Sequence, residues 1–291
     1  MSTSHGAPAL PRLAARRPDS HKGDYGHALL IGGSRGMAGA IALAGRAALR
    51  GGAGLVTLAV PAACQPTVAS FDPCFMTLSL PDDSAGRIAV DARETLAQPA
   101  AGATCVACGP GLGRSDGLTA LVGWLYKALP QPLVIDADGL NALAARPAGL
   151  HAPGGPRILT PHPGEFRRLV GDPQQTIEQC RQAAVRLAAR HQVVIVLKGH
   201  RTLITDGQRS VENSTGNPGM ATGGAGDVLT GVITALVGQG LAAFEAAQLG
   251  VYLHGLAGDL AACEMGEVSL VASDLVQWLP AAIRRASGSG S

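Results

Sequence analysis

The sequence has few aromatic residues, little net charge and no long apolar segment. Aromatic residues make up 3% of the 291 residues, and 23 basic residues nearly balance 21 acidic ones, which leaves a net charge of +2. A nucleic-acid-binding protein needs a basic surface or aromatic platforms for base stacking, so we expect no nucleic-acid partner. No window approaches the roughly 18 uninterrupted apolar residues of a membrane-spanning helix, so we expect no membrane partner either.

Several short binding signatures are missing as well. The absence of a GxxxxGK[ST] sequence excludes a P-loop nucleotidase, and the absence of GxGxxG before a helix disfavours an NAD-binding Rossmann site. Cys105 and Cys108 have the spacing of a redox motif, but the chain has no second such pair to complete a zinc site. They lie in an apolar, strand-like run where residues three apart point to opposite faces, so we interpret them as buried and unreactive. Such thiols predict a reducing compartment, and we expect a cytoplasmic protein.

What the sequence does contain is a regular alternation of short apolar runs and helical patterns. Hydrophobic residues make up 46% of the chain and no Pro/Ser-rich or charged linker interrupts it, so we predict one domain over residues 21–286. Residues 1–20 are predicted to form an irregular N-terminal arm, and residues 287–291 a flexible tail. Continuous apolar strands separated by helices predict a three-layer α/β/α domain with a mostly parallel central sheet.

We predict a ligand site at the carboxyl ends of the strands, because open α/β sheets bind ligands there. A hairpin over residues 202–212, with Asp206-Gly207 at its turn, adds an antiparallel margin. The predicted strands cover residues 27–33, 55–60, 75–80, 104–108, 133–136, 157–160 and 193–198, and the predicted helices cover 38–50, 88–98, 118–129, 139–145, 165–170, 176–191, 228–237, 242–263 and 273–285.

The strongest chemical signal is the glycine-rich segment 213–231, NSTGNPGMATGGAGDVLTG, which places Asp227 directly behind Gly223-Gly224-Ala225-Gly226. Glycines let the backbone approach a ligand closely, and the free N–H groups at a helix start attract anions. An acid at the same place is positioned to take a proton from a hydroxyl that attacks a bound phosphate. The alternative is a glycine-rich turn in which Asp227 only caps the helix.

Four further clusters lie where predicted strands begin or end, at residues 21–40, 109–113, 159–165 and 197–202. Taken singly, each could be no more than a tight turn between a strand and a helix. Asp136 follows another strand and could face a metal ion and phosphates, but Asp136-Ala137-Asp138 could equally be a turn in which Asp138 caps the next helix.

Together these segments resemble a known family. HKGxxG, GGAGLV, GPGLG, TPHPGE, VLKG, GNPGMATGGxGDVLTG and YLHGLAGD occur in this order from about His21 to Trp278. They are similar to the ADP/ATP-dependent NAD(P)H-hydrate dehydratases, a repair branch of the ribokinase-like superfamily. The resemblance implies that ADP or ATP phosphorylates the added ring hydroxyl of (6S)-NADHX or NADPHX, after which phosphate leaves. The alternative is a related small-molecule kinase acting on a hydroxymethyl-pyrimidine, a thiazole alcohol or a sugar.

The resemblance also implies roles for single residues. Asp227 matches the base, with Gly224 and Gly226 in the anion hole beside it, and Glu165 matches a residue that helps to hold hydrated Mg²⁺. One segment matches the loop that contacts the AMP part of the donor in this family. It consists of Lys198, Gly199, His200, Arg201 and Thr202. The residues matching those that line the hydrated dinucleotide, together with Asp227, are Ala40, Gly113 and His162.

Each of these assignments has a structural alternative. Ala40 and Gly113 could be small only because helices pack closely there, and Lys198 could be a solvated strand end. His162 could cap the helix that begins near Glu165, although related kinases often have Asn at this position, which favours the dehydratase branch. His254, on an apolar helix, is predicted to be a hydrogen-bonded core histidine.

Partners and donor follow from the resemblance rather than from composition. We expect small-molecule substrates, a homo-oligomer, and ADP in preference to ATP as the donor. The family often carries an additional epimerase domain, for which 291 residues leave no room, so we expect a separate epimerase.

Overall fold

Nine strands form one sheet within the part of the chain that this computed structural model describes, residues 9–146 and 149–287. The strands are β1 (His27–Ile31), β2 (Leu55–Pro61), β3 (Met76–Leu80), β4 (Cys105–Cys108), β5 (Leu133–Ile135), β6 (Arg157–Leu159), β7 (Val194–Leu197), β8 (Leu203–Thr205) and β9 (Ser210–Glu212). Their order across the sheet is β3-β2-β1-β4-β5-β6-β7-β8-β9. The pairings from β3 to β7 are parallel, and those of β8 with β7 and β9 are antiparallel. The predicted mostly parallel sheet with an antiparallel margin is confirmed.

The helices alternate with the parallel strands and then follow one another at the end of the chain. They are α1 (Ala38–Arg50), α2 (Gln65–Ala69), α3 (Ala92–Gly102), α4 (Asp116–Ala128), α5 (Ala137–Ala144), α6 (Pro163–Val170), α7 (Ile177–His191), α8 (Ala225–Gly238), α9 (Ala243–Met265) and α10 (Ala272–Ala286). Short 3-10 turns occupy Lys22–Tyr25, Ala62–Cys64 and Pro218–Met220. None of the described helices combines the length and apolar character that crossing a bilayer requires.

Several helices begin at other residues than predicted. The helix predicted over 88–98 begins only at Ala92, because Ile88 instead forms an isolated antiparallel bridge with Asp82. The helix predicted over 228–237 begins earlier, at Ala225, so that Asp227 lies inside its first turn. The short helix α2 was not predicted.

The ends of the chain are only partly described. Residues 1–8 of the predicted arm and 288–291 of the predicted tail lie outside the described residues. Residues 9–20 contain no helix or strand, and Leu10 and Leu13 within them pack against the core.

Two apolar cores cover the two faces of the sheet, as a three-layer fold requires. One core packs α1, α2, α8, α9 and α10 against the sheet, and the other packs α3 to α7. Cys105 belongs to the first core and Cys108 to the second, so the prediction that they face opposite sides is confirmed. Burial raises the pKa of both thiols to about 12. All six cysteines of the chain are free.

Helix α8 is the central element of the first core. Every residue from Val228 to Gly238 is buried. Gly231 allows α8 to lie directly against α1, since a Cβ there would overlap the carbonyl oxygen of Ala44. The helix whose first turn carries Asp227 is therefore held firmly by close packing.

The second core contains a buried cation, Arg157, at the start of β6. Its side chain is 1% exposed and donates hydrogen bonds to carbonyl oxygens of Leu125, Tyr126 and Leu129, at 2.6–3.4 Å, and of Gln131 at 3.0 Å. Among the described residues it has no acidic partner, so the carbonyl end of α4 and its negative dipole compensate the charge. Burial lowers the pKa of Arg157 to about 10, which leaves it protonated at neutral pH.

Replacing Arg157 by Leu is expected to lower the free energy of unfolding by about 3 kcal/mol or more, because several buried carbonyl oxygens lose their donor. Urea unfolding measures the loss. Arg186→Leu, at an exposed position on α7, is the matched control and should change stability by no more than about 0.5 kcal/mol. Equal losses in the two variants would contradict this role of Arg157.

Candidate active site

The candidate site lies at the carboxyl ends of five neighbouring strands, β1, β4, β5, β6 and β7. Asp136 follows β5, Thr160 follows β6 and Lys198 follows β7, while the first turn of α8 lies over them. Parallel strands bring residues that are far apart in sequence to one edge in this way, and ligands of open α/β sheets bind at that edge.

Asp136 and Lys198 form the buried ion pair at the centre of the site. The Asp136 side chain is 1% exposed, and its Oδ1 lies 2.6 Å from Lys198 Nζ. Oδ1 also accepts a hydrogen bond from Thr160 Oγ1 at 2.8 Å, and Oδ2 accepts one from Thr230 Oγ1 at 2.9 Å. Burial alone would lower the pKa of Lys198, but the carboxylates of Asp136 and Glu165 outweigh it and raise that pKa. Lys198 is therefore a charged, paired residue and not a solvated strand end.

Asp227 is the third residue of α8 and does not cap it. The cap position is held by Gly224, whose φ of +92° is in the left-handed region that favours glycine. Within the described chain, the Asp227 carboxylate has no hydrogen bond or ion pair. Burial, and next the negative charge of Asp136, raise its pKa to about 7, although Lys198 acts in the opposite direction. A carboxyl group with this pKa can accept a proton near neutral pH.

The first turn of α8 brings backbone N–H groups next to the Lys198 ammonium. A Cβ on Gly226 would lie 3.2 Å from Lys198 Nζ and 3.5 Å from Asp136 Oδ2. The first N–H groups of a helix have no partner within it, and the positive end of its dipole is there. The amino end of α8 and Lys198 together form a site with the charge that a phosphoryl group requires.

His162 caps α6, so the predicted capping role of this residue is confirmed. Its Nδ1 accepts hydrogen bonds from the backbone N–H groups of Gly164 at 3.0 Å and Glu165 at 3.4 Å. The Glu165 carboxylate accepts in return from the His162 N–H at 2.8 Å. Burial lowers the pKa of His162 despite the opposing charge of Glu165, so the ring is neutral at pH 7. Its Nε2 lies 3.4 Å from Glu165 Oε1, but the side chain is still 51% exposed, so part of the ring surface is open to a ligand.

Glu165 is buried beside the central ion pair, with Oε2 3.8 Å from Lys198 Nζ. Within residues 9–146 and 149–287 there is no group of three or more His, Cys, Asp or Glu side chains that could hold a metal ion by itself. Mg²⁺ usually keeps several waters and binds one or two carboxylates together with the phosphates of a substrate. A single carboxylate at this place fits such a hydrated ion.

The predicted AMP-contacting loop, residues 198–202, lies partly at the centre of the site and partly at its rim. Lys198 is central, whereas Gly199 and His200 are exposed. Arg201 Nε pairs with Glu212 Oε2 at 3.0 Å on the rim. Thr202 closes the loop, since its Oγ1 donates to the Gly199 carbonyl at 3.1 Å.

Ala40 and Gly113 border the site on the β1 and β4 side, where Ala40 lies in the first turn of α1. Gly113 has a φ of +79° and donates its N–H to Asp138 Oδ2 at 3.0 Å. It also lines a cavity of about 260 Å³ together with Asp138 and Asn141. The left-handed φ favours glycine at this position without close helix packing, since a Cβ there would meet the side chain of Arg87, which lies in no helix. A glycine here is compatible with a ligand in that cavity.

The alternative role of Asp138 as a helix cap is wrong. The cap position of α5 is Asp136, which makes no capping hydrogen bond. Asp138 lies in the first turn and accepts from Gly113, from Arg114 Nε at 3.2 Å and from Asn141 at 3.0 Å. The Asp136 side chain instead makes its hydrogen bonds at the centre of the site.

Sequence reasoning missed the residues that hold segment 213–220. Asp259, in α9, accepts hydrogen bonds from the Gly216 N–H at 2.9 Å and the Asn217 amide at 3.1 Å. A Cβ on Gly255 or Gly258 would overlap this segment, so the glycines of YLHGLAGD allow it to lie on α9. The only available signal was the YLHGLAGD motif itself, which carries no chemistry that identifies its partner.

His254 is confirmed as a hydrogen-bonded histidine. Its Nε2 lies 2.9 Å from the carbonyl oxygen of Ala225, at the start of α8, and donates to it. Burial lowers the pKa of His254 to about 4, so the ring is neutral at physiological pH. It links α9 to the first turn of α8.

Comparison with known sequences agrees with this geometry. The profile of the NAD(P)H-hydrate dehydratase family matches residues 28–281. A Moorella thermoacetica protein named bifunctional NAD(P)H-hydrate repair enzyme Nnr is 48% identical over 276 residues, covering 94% of this chain and 52% of that protein. The ADP-dependent (S)-NAD(P)H-hydrate dehydratase of Neisseria meningitidis serogroup B is 39% identical over 251 residues, covering 84% of this chain and 80% of that protein. The chain thus spans about half the length of the bifunctional relatives that it matches.

Comparison with solved structures confirms the predicted ribokinase-like α/β/α fold. A ribokinase-like superfamily protein from Enterococcus faecalis superposes with a TM-score of 0.79 at 29% identity, covering 94% of this chain and 92% of that one. The ADP/ATP-dependent NAD(P)H-hydrate dehydratase of Bacillus subtilis, co-crystallised with ATP/Mg²⁺, superposes with a TM-score of 0.80 at 33% identity, covering 94% of each chain.

Replacing Asp227 by Asn is expected to stabilise the protein, and more so at high pH. The pKa of Asp227 is raised from 3.8 to about 7 by folding. Between these values the unfolded chain is ionised and the folded chain is protonated, so the stability of the wild type falls as the pH rises towards 7. Since one pKa unit corresponds to about 1.4 kcal/mol, the advantage of the variant should grow by about 2.5 kcal/mol between pH 5 and pH 8.

Urea unfolding of both proteins at the two pH values measures this difference. Asp116→Asn is the matched control, because Asp116 also lies in the first turn of a helix but is exposed. An advantage of Asp227→Asn that is the same at both pH values, or the same as that of the control, would contradict the raised pKa.

Proposed function

The chain belongs to the NAD(P)H-hydrate dehydratase family, and we propose that it uses ADP or ATP to convert (6S)-NADHX and NADPHX back to NADH and NADPH. The observation that carries the proposal is the unpartnered Asp227 carboxyl, with a pKa of about 7, on the helix end that adjoins the Lys198 ammonium. The alternative of a hydroxymethyl-pyrimidine, thiazole-alcohol or sugar kinase is not favoured, because the matched relatives are named for the NAD(P)H hydrate.

The reaction that we propose has two stages. Asp227 accepts the proton of the added ring hydroxyl while that oxygen attacks the terminal phosphorus of the donor. A bond from the ring oxygen to phosphorus forms, and the bond from phosphorus to the leaving nucleotide breaks. The carbon–oxygen bond of the phosphorylated ring then breaks, phosphate departs with the electron pair, and loss of a ring proton restores the dihydronicotinamide. The overall products from ADP are NAD(P)H, AMP and phosphate.

Positioning and electrostatics are the main requirements of phosphoryl transfer. The N–H groups at the start of α8, among them those of the Gly224–Gly226 segment, would bind the transferred group together with Lys198. Residues 198–202 would hold the AMP part of the donor. Ala40, Gly113 and His162 would line the hydrated dinucleotide, which would place its ring hydroxyl near Asp227.

A magnesium ion is part of the proposal. Glu165 would hold a hydrated Mg²⁺ brought in by the donor phosphates, and the ion would neutralise phosphate charge when bound. The supporting observation is the buried position of Glu165, 3.8 Å from the Lys198 ammonium. The co-crystallisation of the Bacillus subtilis relative with ATP/Mg²⁺ supports it further.

The donor, the assembly and the cellular setting are proposals of the same kind. We propose ADP as the preferred donor, since one relative is named ADP-dependent and another ADP/ATP-dependent. Residues 21–286 would act as one catalytic domain in a cytoplasmic homo-oligomer, and the free cysteines suit a reducing compartment. An epimerase for the hydrate would be a functional partner of the enzyme.

The direct test is recovery of dihydronicotinamide absorbance from prepared NADHX, with ADP, with ATP and without nucleotide. Recovery that depends on nucleotide and is matched by phosphate release would support the dehydratase and identify the donor. Nucleotide binding by folded protein without recovery would overturn the proposal and favour the kinase alternative.

Asp227→Asn should lower turnover by ~10²–10⁴ while nucleotide affinity stays within a few-fold of wild type, because Asn cannot accept the proton. In the wild type, kcat/KM should rise with pH and level off above about 7, as Asp227 loses its proton. Glu94→Gln, at an exposed position in the first turn of α3, should keep wild-type turnover. An Asp227→Asn variant as fast as the wild type would rule out Asp227 as the base.

Gly226→Ala should weaken nucleotide binding about tenfold, because the new Cβ would occupy the space between the backbone and Lys198 Nζ. The measurement is nucleotide binding by calorimetry. Gly238→Ala, at the other end of the same helix, is the control, since a Cβ there meets nothing within 4 Å. Unchanged affinity of Gly226→Ala would show that the anion site lies elsewhere.

A further inference from the structure

We propose that Asp136 and Thr230 are positioning residues that hold the Lys198 ammonium beneath the amino end of α8, where its charge faces the transferred phosphoryl group. The proposal extends the proposed function and depends on it for its catalytic part. Neither residue would contact the substrate; both would act through Lys198.

The Asp136 carboxylate joins three elements of the fold. Through Oδ1 it contacts Thr160, after β6, and Lys198, after β7. Through Oδ2 it contacts Thr230, in the middle of the site-bearing helix α8. The carboxylate therefore ties the position of the ammonium to the position of α8, and the distance between the two anion-binding features is fixed.

Thr230 determines how the carboxylate is oriented. It is the only described hydrogen-bond donor to Oδ2, and it is itself completely buried. A hydroxyl that anchors Oδ2 leaves Oδ1 pointing at Lys198. Since Thr230 follows Asp227 by three residues, it lies on the same face of α8 as the proposed base.

Lys198 needs such an anchor because a second carboxylate lies within its reach. Its Nζ is 2.6 Å from Asp136 Oδ1 and 3.8 Å from Glu165 Oε2. A lysine side chain is flexible and acts as a point charge, so a weaker hold by Asp136 would let the ammonium move towards Glu165. That movement would change the distance of the ammonium from Gly226 and the helix end, where its charge would be needed.

The helix supplies a matched pair of variants for the test. Thr230→Val removes the hydroxyl but keeps the shape of the side chain. Thr234, one turn further along α8, is equally buried, and its Oγ1 donates to the Thr230 carbonyl at 2.6 Å and not to Asp136. Thr234→Val therefore has the same packing cost, but it does not remove the hydrogen bond to Asp136. Thr230→Ser restores a hydroxyl and serves as the rescue variant.

The first measurement follows the ammonium itself and does not depend on activity. The chain has three lysines, Lys22, Lys127 and Lys198, so protein labelled with nitrogen-15 lysine has three side-chain ammonium signals. Lys22→Arg and Lys127→Arg identify them. In the wild type the Lys198 protons should exchange slowly with water. Exchange should be at least several-fold faster in Thr230→Val, and should remain slow in Thr234→Val and Thr230→Ser.

The second measurement is steady-state dehydration. Thr230→Val should lower kcat by about three- to tenfold with little change in the KM of the hydrate, because Lys198 would act mainly on the charge of the transferred group. Thr230→Ser should recover most of the rate, and Thr234→Val should lose no more than about twofold.

The outcomes separate this inference from the proposed function. Unchanged exchange and unchanged kcat in Thr230→Val would overturn the inference. Losses in Thr230→Val that match those in Thr234→Val, in proportion to a fall in the thermal midpoint, would also overturn it, since they would show a structural role only. A wild type that cannot dehydrate NADHX would refute the proposed function, and the exchange measurement would still decide whether Thr230, acting through Asp136, holds Lys198.

Discussion

The contact between Asp136 and Lys198 is the interaction on which the rest of the site depends. A buried charge is costly unless it is paired and fully hydrogen-bonded, so this ion pair requires the hydroxyls of Thr160 and Thr230 to complete it. Those two hydroxyls come from β6 and α8, and the carboxylate therefore holds strand ends and helix in one arrangement. The same pair gives the site its local charges, because Asp136 raises the pKa of Asp227 while Lys198 lowers it.

The site holds more acidic than basic side chains, and this excess fits the chemistry we propose. Three carboxylates, of Asp136, Glu165 and Asp227, face one ammonium group. Burial, and after it the negative charge of Asp136, keeps the pKa of the Asp227 carboxyl at about 7. The excess of negative charge also suits a donor that arrives with a cation. The amino end of α8 supplies the opposing positive potential for the phosphates without adding a further titratable group.

Several segments whose sequence suggests ligand binding also support the architecture. His162 caps α6 through its Nδ1 and still leaves half of its side chain exposed. Asp259 fixes segment 213–220 on α9, and His254 fixes the start of α8. A preorganised phosphoryl-transfer site needs such restraint, since its groups must be in place before the donor arrives.

The sequence by itself determined the layer architecture, the order of the strands and of every helix except α2, and the segments that meet at the candidate site. Apolar periodicity and glycine spacing are local properties, which is why α1 was predicted from Ala38 to Arg50 without error and the hairpin at Asp206-Gly207 was found. Only the tertiary structure decided that Asp136 pairs with Lys198, that Thr230 reaches the same carboxylate and that Arg157 is buried under the end of α4. Asp136 and Lys198 are separated by 62 residues and Asp136 and Thr230 by 94. No local pattern records such a separation, because it is the order of strands in the sheet that brings these side chains to one edge.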